Sequence, residues 1–186
     1  NGMDARGFTA GGIRGGRQDG AQARADDFAW VGRVDTDFVP GLLAGASVYA
    51  GRSGQEVADT TGTVLDVGTV IAEVHADWKW KGLEARALAA FSQLDEVAEL
   101  NEALGLTGAG GVGEEQNGWY VEAAYDLFSR RQQGEQALFP FVRYESFNTQ
   151  AEVPSGFTAN PATEINVLTA GVDYRISDQF VIGTAL

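Results

Sequence analysis

From Thr69 to Phe91 (TVIAEVHADWKWKGLEARALAAF) the chain alternates between two kinds of residue, with only Lys81-Gly82 interrupting. Val70, Ala72, Val74, Ala76, Trp78 and Trp80 fall in one row, and Glu73, His75, Asp77, Lys79 and Lys81 in the other. Past the interruption, Leu83, Ala85, Ala87, Ala89 and Phe91 oppose Glu84, Arg86, Leu88, Ala90 and Ser92. A period of two is that of a strand, and a helix would mix the two rows. The stretch therefore predicts two long antiparallel strands joined by a two-residue turn, with Asp77 facing Arg86 closely enough to pair.

The apolar row decides what those strands face. A closed protein core calls for large packing residues, whereas this row is mostly alanine, with aromatics at its ends. Small residues at mid-span and aromatics at the boundaries fit a lipid-facing band between two girdles, with the charged row lining a wet interior. A soluble sandwich with one solvated face produces the same period and stays open as the alternative.

The pattern recurs along the chain. Phe28, Trp30, Val34 and Phe38 alternate with Asp27, Arg33, Asp35 and Asp37, and Val39-Pro40-Gly41 turns the chain into Leu42 to Gly51. Trp119 to Leu127, Ala137 to Phe147, Thr163 to Arg175 and a last strand from Phe180 continue it. Connections alternate between short (39–41, 81–82, 129–136, 176–179) and long (1–25, 52–65, 93–117, 148–162), as in barrels with tight turns on one side and loops on the other. Aromatics of the apolar row gather at the short-turn ends (Phe38, Trp78, Trp80, Tyr125, Tyr174) and at the long-loop ends (Phe28, Trp30, Phe91, Trp119, Tyr144). Pro140 is awkward inside a strand because it donates no ladder hydrogen bond. Within the third long loop, Leu94, Val97, Leu100 and Leu104 recur at helical spacing and predict a short amphipathic helix over Leu94 to Leu104.

Composition narrows the partners. A net charge of -13 disfavours nucleic acid, whose phosphates require Lys and Arg. With no cysteine, disulfide frameworks and thiol chemistry are absent. No apolar run of about eighteen residues exists to form a membrane helix.

Motifs that suggest chemistry have plainer readings. Gly108, Gly110 and Gly113 satisfy a GxGxxG spacing, but a helix-like segment precedes it and an acidic stretch follows, the reverse of a dinucleotide fold. Glu73, His75 and Asp77 share a strand face, yet same-face neighbours lie about 7 Å apart, too far for one metal ion unless side chains bend together or another strand contributes. Neither Ser47 nor Ser92 has a base nearby in sequence. No enzyme activity, metal or cofactor is expected.

The strings GIRGGRQ, FAWVGRVD, PGLLAGASVY, GWYVEAAYDL, FPFVRYESFNTQAEVPSGFTANP and TAGVDYR resemble outer-membrane porins of the phosphate-selective porin superfamily along nearly the whole chain. The resemblance implies a portion of a larger antiparallel transmembrane β-barrel, about eight strands of it across residues 1–186, truncated at both ends. It also implies a bacterial outer-membrane location with lipid and lipopolysaccharide as surroundings, and a homotrimeric assembly. The expected work is passive diffusion of small hydrophilic solutes or ions. The expected pore lining is Arg33, Asp35, Glu73, His75, Asp77, Arg86, Glu122, Arg143, Glu145, Asp173 and Arg175. Because the family narrows its pores with infolded loops, Arg14 and Arg17 of the Gly-rich first loop are candidates for a constriction. A small structural or binding barrel of eight strands, complete in itself and without a conducting pore, is the competing expectation.

Overall fold

Every strand in this chain pairs with the strand next to it in sequence, so the fold is a meander. The computed structural model describes residues 2–18, 23–129, 136–177 and 180–186. Its strands are β1 (Ala29–Thr36), β2 (Leu42–Arg52), β3 (Gly68–Trp80), β4 (Leu83–Leu94), β5 (Glu115–Tyr125), β6 (Ala137–Glu152), β7 (Glu164–Ser177) and β8 (Phe180–Ala185). All eight are antiparallel in a single sheet ordered β1 to β8. Among the described residues β1 and β8 do not pair with each other, so the sheet is unclosed and is not an eight-stranded barrel complete in itself. The predicted turn residues Arg130 and Arg131, the turn residue Asp178 and the loop residue Asp19 lie outside the described residues.

Register follows the alternation. Asp77 stands opposite Arg86 and Trp80 opposite Leu83. Between them Lys81 and Gly82 both take positive φ (49° and 86°), the turn geometry whose twist matches that of the flanking strands. The β5–β6 pairing runs as far as Ala124 opposite Phe141, stopping one residue short of Pro140. Beyond it the Leu127 amide donates to the Leu138 carbonyl at 2.9 Å in the same register, so the proline, which has no N–H to donate, interrupts the pairing on that side.

Several strand ends shift by a few residues, β5 among them, which runs from Glu115 to Tyr125 rather than Trp119 to Leu127, and two shifts have a visible cause. β6 continues to Glu152 rather than stopping at Phe147, because a register shift between Glu115 and Asn117 keeps it beside β5. The buried Gln150 holds this extension, donating to the Gly111 carbonyl and accepting from the Asn160 amide at 2.7 Å. The helix α1 (Val97–Ala103) is shorter than Leu94 to Leu104, since Leu94 ends β4. Val97 and Leu100 are buried while Glu99 and Glu102 stay wet, as the amphipathic spacing requires.

The main buried apolar cluster lies almost wholly outside the strands, with Leu94 at the end of β4 as its one strand member. Met3, Ala5 and Phe8 from the first segment, Val57, Leu65 and Val67 from the second long loop, and Leu94, Val97, Leu100 and Val112 pack into one cluster. Tyr49 and Ile71, on the charged side of the sheet near its long-loop end, pack against it. The result is a cap seated on one end of one sheet face. In the first segment a Cβ on Gly7 would strike the Gly15 carbonyl and one on Gly16 would strike the Phe8 ring, so the glycines permit close packing there.

Candidate functional site

The registers put all eleven charged candidates on one face, here called the inner face. Charged strand residues of the opposite parity, Arg52, Glu115, Glu152 and Glu164, lie at strand ends beside the long loops. Outward residues of β5 illustrate the split: Asn117, Trp119, Val121, Ala123 and Tyr125 are exposed, and the residues between them are not.

Two ion networks cover the inner face. In the first, Arg33 forks onto Asp35 (2.7 and 2.9 Å), and His75 lies between Glu73 (Nδ1, 2.6 Å) and Asp35 (Nε2, 2.9 Å). Ser47 donates to Glu73 at 2.8 Å. Asp35 on β1 reaches His75 on β3 over Gly45 of β2, and a Cβ at Gly45 would collide with both side chains. The missing methyl group lets two strands that are not neighbours share a hydrogen bond.

The second network alternates in sign across strands. Arg86 contacts Asp77 (3.1 Å), Glu122 (3.3 Å) and Glu84 (3.6 Å). Arg143 contacts Glu145 (2.7 Å) and, more distantly, Glu122 (3.9 Å). Arg175 of β7 joins Glu84 of β4 at 3.0 Å. Two of these guanidinium groups also lie over rings, Arg143 over Tyr120 at 3.8 Å and Arg175 over Phe139 at 4.0 Å. Arg33, Arg86, Arg143 and Arg175 are thus each matched by a carboxylate. Asp173 shares the face without a recorded ion pair among the described residues.

Glu84 was missing from the expected lining although it anchors this second network. Its signal was its parity with Arg86, two residues on. Tyr120 and Phe139 carry no charge that would mark them in the sequence as cation partners.

The first segment lies against the inner face. Ile13 donates its amide to Gln116 and Thr149 donates its hydroxyl to the Ala10 carbonyl at 2.7 Å. Arg14 and Arg17 are exposed, and among the described residues neither has an ion-pair partner. Arg6 and Arg24 of the same segment both donate to the Gln55 carbonyl, at 2.8 and 3.0 Å.

The metal reading of Glu73, His75 and Asp77 does not describe the geometry. Glu73 and Asp35 occupy opposite ring nitrogens of His75, and Asp77 turns to Arg86. Among the described residues no group of three or more ligating side chains is placed to hold an ion. After the GxGxxG glycines comes strand β5 and not a helix, so no helix N-terminus stands ready for a pyrophosphate.

No family model matches the chain, and no solved structure matches it. The chain is similar to an uncharacterized protein of Aquifex aeolicus (strain VF5), 26% identical over 166 residues that make up 86% of this chain, and it spans 36% of that relative's length.

Proposed function

We propose that this chain forms part of the wall of a bacterial outer-membrane porin that lets small hydrophilic solutes or ions diffuse passively through a water-filled lumen. The observation that carries the reading is the contrast between the sheet's two faces. The outer one exposes large apolar side chains with no protein over them, among them Phe28 (79% exposed), Val74 (56%) and Leu168 (67%). The inner one holds the ion networks.

Dimensions support it. β3 has 13 residues, which at ~3.4 Å each and a tilt of ~45° rise about 30 Å, the thickness of a bilayer's hydrocarbon core. Aromatics stand at both ends of the outer face: Trp78 stacks on Trp80 (6.1 Å between centroids), and Trp119 meets Tyr144 (5.4 Å). Lys81 lies over the Trp80 ring at 4.7 Å, as a cation at a headgroup boundary would. Further strands pairing with the free edges of β1 and β8 would close the barrel, and lipid and lipopolysaccharide would cover its outside.

Conductance across a planar bilayer, together with heat-dependent gel mobility in detergent, tests the proposal. Step-like channels and a mobility change on boiling are expected. A protein that stays in the aqueous phase without detergent and conducts nothing overturns it. The cap gives weight to a second reading, a structural or binding barrel without a pore, for which the mobility change would occur with no conductance.

A further inference from the structure

We infer that His75 is a proton-operated charge switch in the inner wall that lowers the pore's preference for cations in acid, an inference that rests on the diffusion reading above. The two nitrogens of the ring have unlike surroundings. Nδ1 faces one acceptor, Glu73, at 2.6 Å, so a proton must lie between them, whichever atom holds it. Nε2 faces a donor and an acceptor together, the Arg33 guanidinium at 3.1 Å and the Asp35 carboxylate at 2.9 Å. A bare Nε2 accepts from Arg33, and a protonated Nε2 donates to Asp35. The ring therefore has a full set of partners in either charge state, and no partner has to move when the proton comes or goes.

What surrounds the ring makes those states differ by one charge on the wall. β1 contributes Arg33 and Asp35, β2 the neutral Ser47 hydroxyl bonded to Glu73, β3 itself Glu73 and Asp77, β4 Arg86, and β5 Tyr120. Asp77 and Arg86 pair with each other. With Nε2 bare, Arg33 offsets one of the two carboxylates beside the ring and leaves one negative charge. A proton on Nε2 cancels it. His75 lines a cleft of about 530 Å³ that opens on the inner face, so protons reach it from the lumen. Its side chain is only 15% exposed, which keeps the change in charge from being screened as it would be in open water. No second histidine occurs in the 186 residues to duplicate the switch.

The test uses the full-length protein. Reversal potentials under a salt gradient are recorded across the pH range for the native channel and for His75→Gln, whose amide can still donate to Glu73. The two curves should coincide at high pH, where each cluster carries one negative charge, and part as pH falls. The native cation-over-anion permeability ratio should then drop about two- to fourfold below the variant's, the effect of one unit charge at ~10 Å in water. Curves that overlap at every pH overturn the switch while leaving diffusion intact. Absence of conductance in the native protein overturns the diffusion reading, and proton exchange at His75 is then decided, as it is for a variant that does not fold, by nitrogen NMR of the histidine-labelled native protein. The His75 signal is identified by contact between its Cε1 proton and Gly45, where an added Cβ would strike Cε1. At high pH the proton is expected on Nδ1 with Nε2 bare, and acid should add a proton at Nε2. A ring protonated on Nε2 at high pH, or one unchanged across the range, refutes the inference.

Discussion

Glu84 and Arg175 form a two-point ion pair, at 3.0 and 3.1 Å, although β5 and β6 lie between their strands. Side chains can span that interval only if the sheet curls toward its charged side, so the pair works as a chord across a concave inner face. Replacing Glu84 with Gln or Arg175 with Ala should cost about 1–2 kcal/mol each, with a coupling of ~1 kcal/mol when combined. A double-mutant cycle by urea unfolding in lipid or detergent measures it, and additive effects would mean that the chord carries no energy.

Gly45 is the gap through which Asp35 meets His75. Gly45→Ala should force one of those side chains off its partner and destabilise by about 1–3 kcal/mol. The same unfolding assay reads it, with Asp35→Asn as the control that removes the partner without adding bulk. A midpoint unmoved by Gly45→Ala would show that the neighbours give way freely.

An arginine at Val74, in the middle of the outer face, should cost about 2–4 kcal/mol if lipid covers that face. An arginine at His75 should cost less, because it joins an ionic row. The reverse ranking by reversible folding into vesicles would invert the assignment of the faces.

Acid should act on the cap in two opposed steps. Desolvation, reinforced by Glu152, Glu115 and Glu99, raises the Glu114 carboxyl above its ordinary value. Its folded form therefore binds the proton more readily than the unfolded one, so stability is gained as pH falls toward and below the usual glutamate range and is lost as pH rises. The Thr61 hydroxyl, with the Thr63, Thr61 and Gly62 amides, holds Asp59 below its ordinary value, so its contribution is present above the usual aspartate range and lost as pH falls through the folded value. Protease resistance of the loops against pH should rise and then fall, and Glu114→Gln should abolish the rise alone.

Carboxylates match Arg33, Arg86, Arg143 and Arg175, whereas Arg14 and Arg17 of the segment lying on the inner face have no ion-pair partner among the described residues. Changing both to Ala should shift reversal potentials under a salt gradient toward cations, and an unchanged potential would place them outside the ion path.

Strand order, register and the sorting of the two faces were legible because a period of two leaves no freedom: a slip of one residue would turn Val74 inward and His75 outward. The Asp77–Arg86 pair was legible for the same reason. The cap was not. Met3, Phe8, Val57, Leu65 and Val112 come from stretches without periodicity, and only the fold brings them together. Likewise nothing at Glu84 announces Arg175, because their contact depends on curvature and not on spacing. The close packing that the glycines of the first segment permit around Phe8 is likewise not announced by their number.

The cap draws its core from the first segment, the second long loop and the region around α1. Parts so far apart along the chain cannot meet until β2 to β5 have brought their loops together, because each closure costs entropy before any apolar contact repays it. Burial of Phe8 should therefore be a late event in assembly, and a fluorescent reporter at that position would time the completion of the strands beneath it.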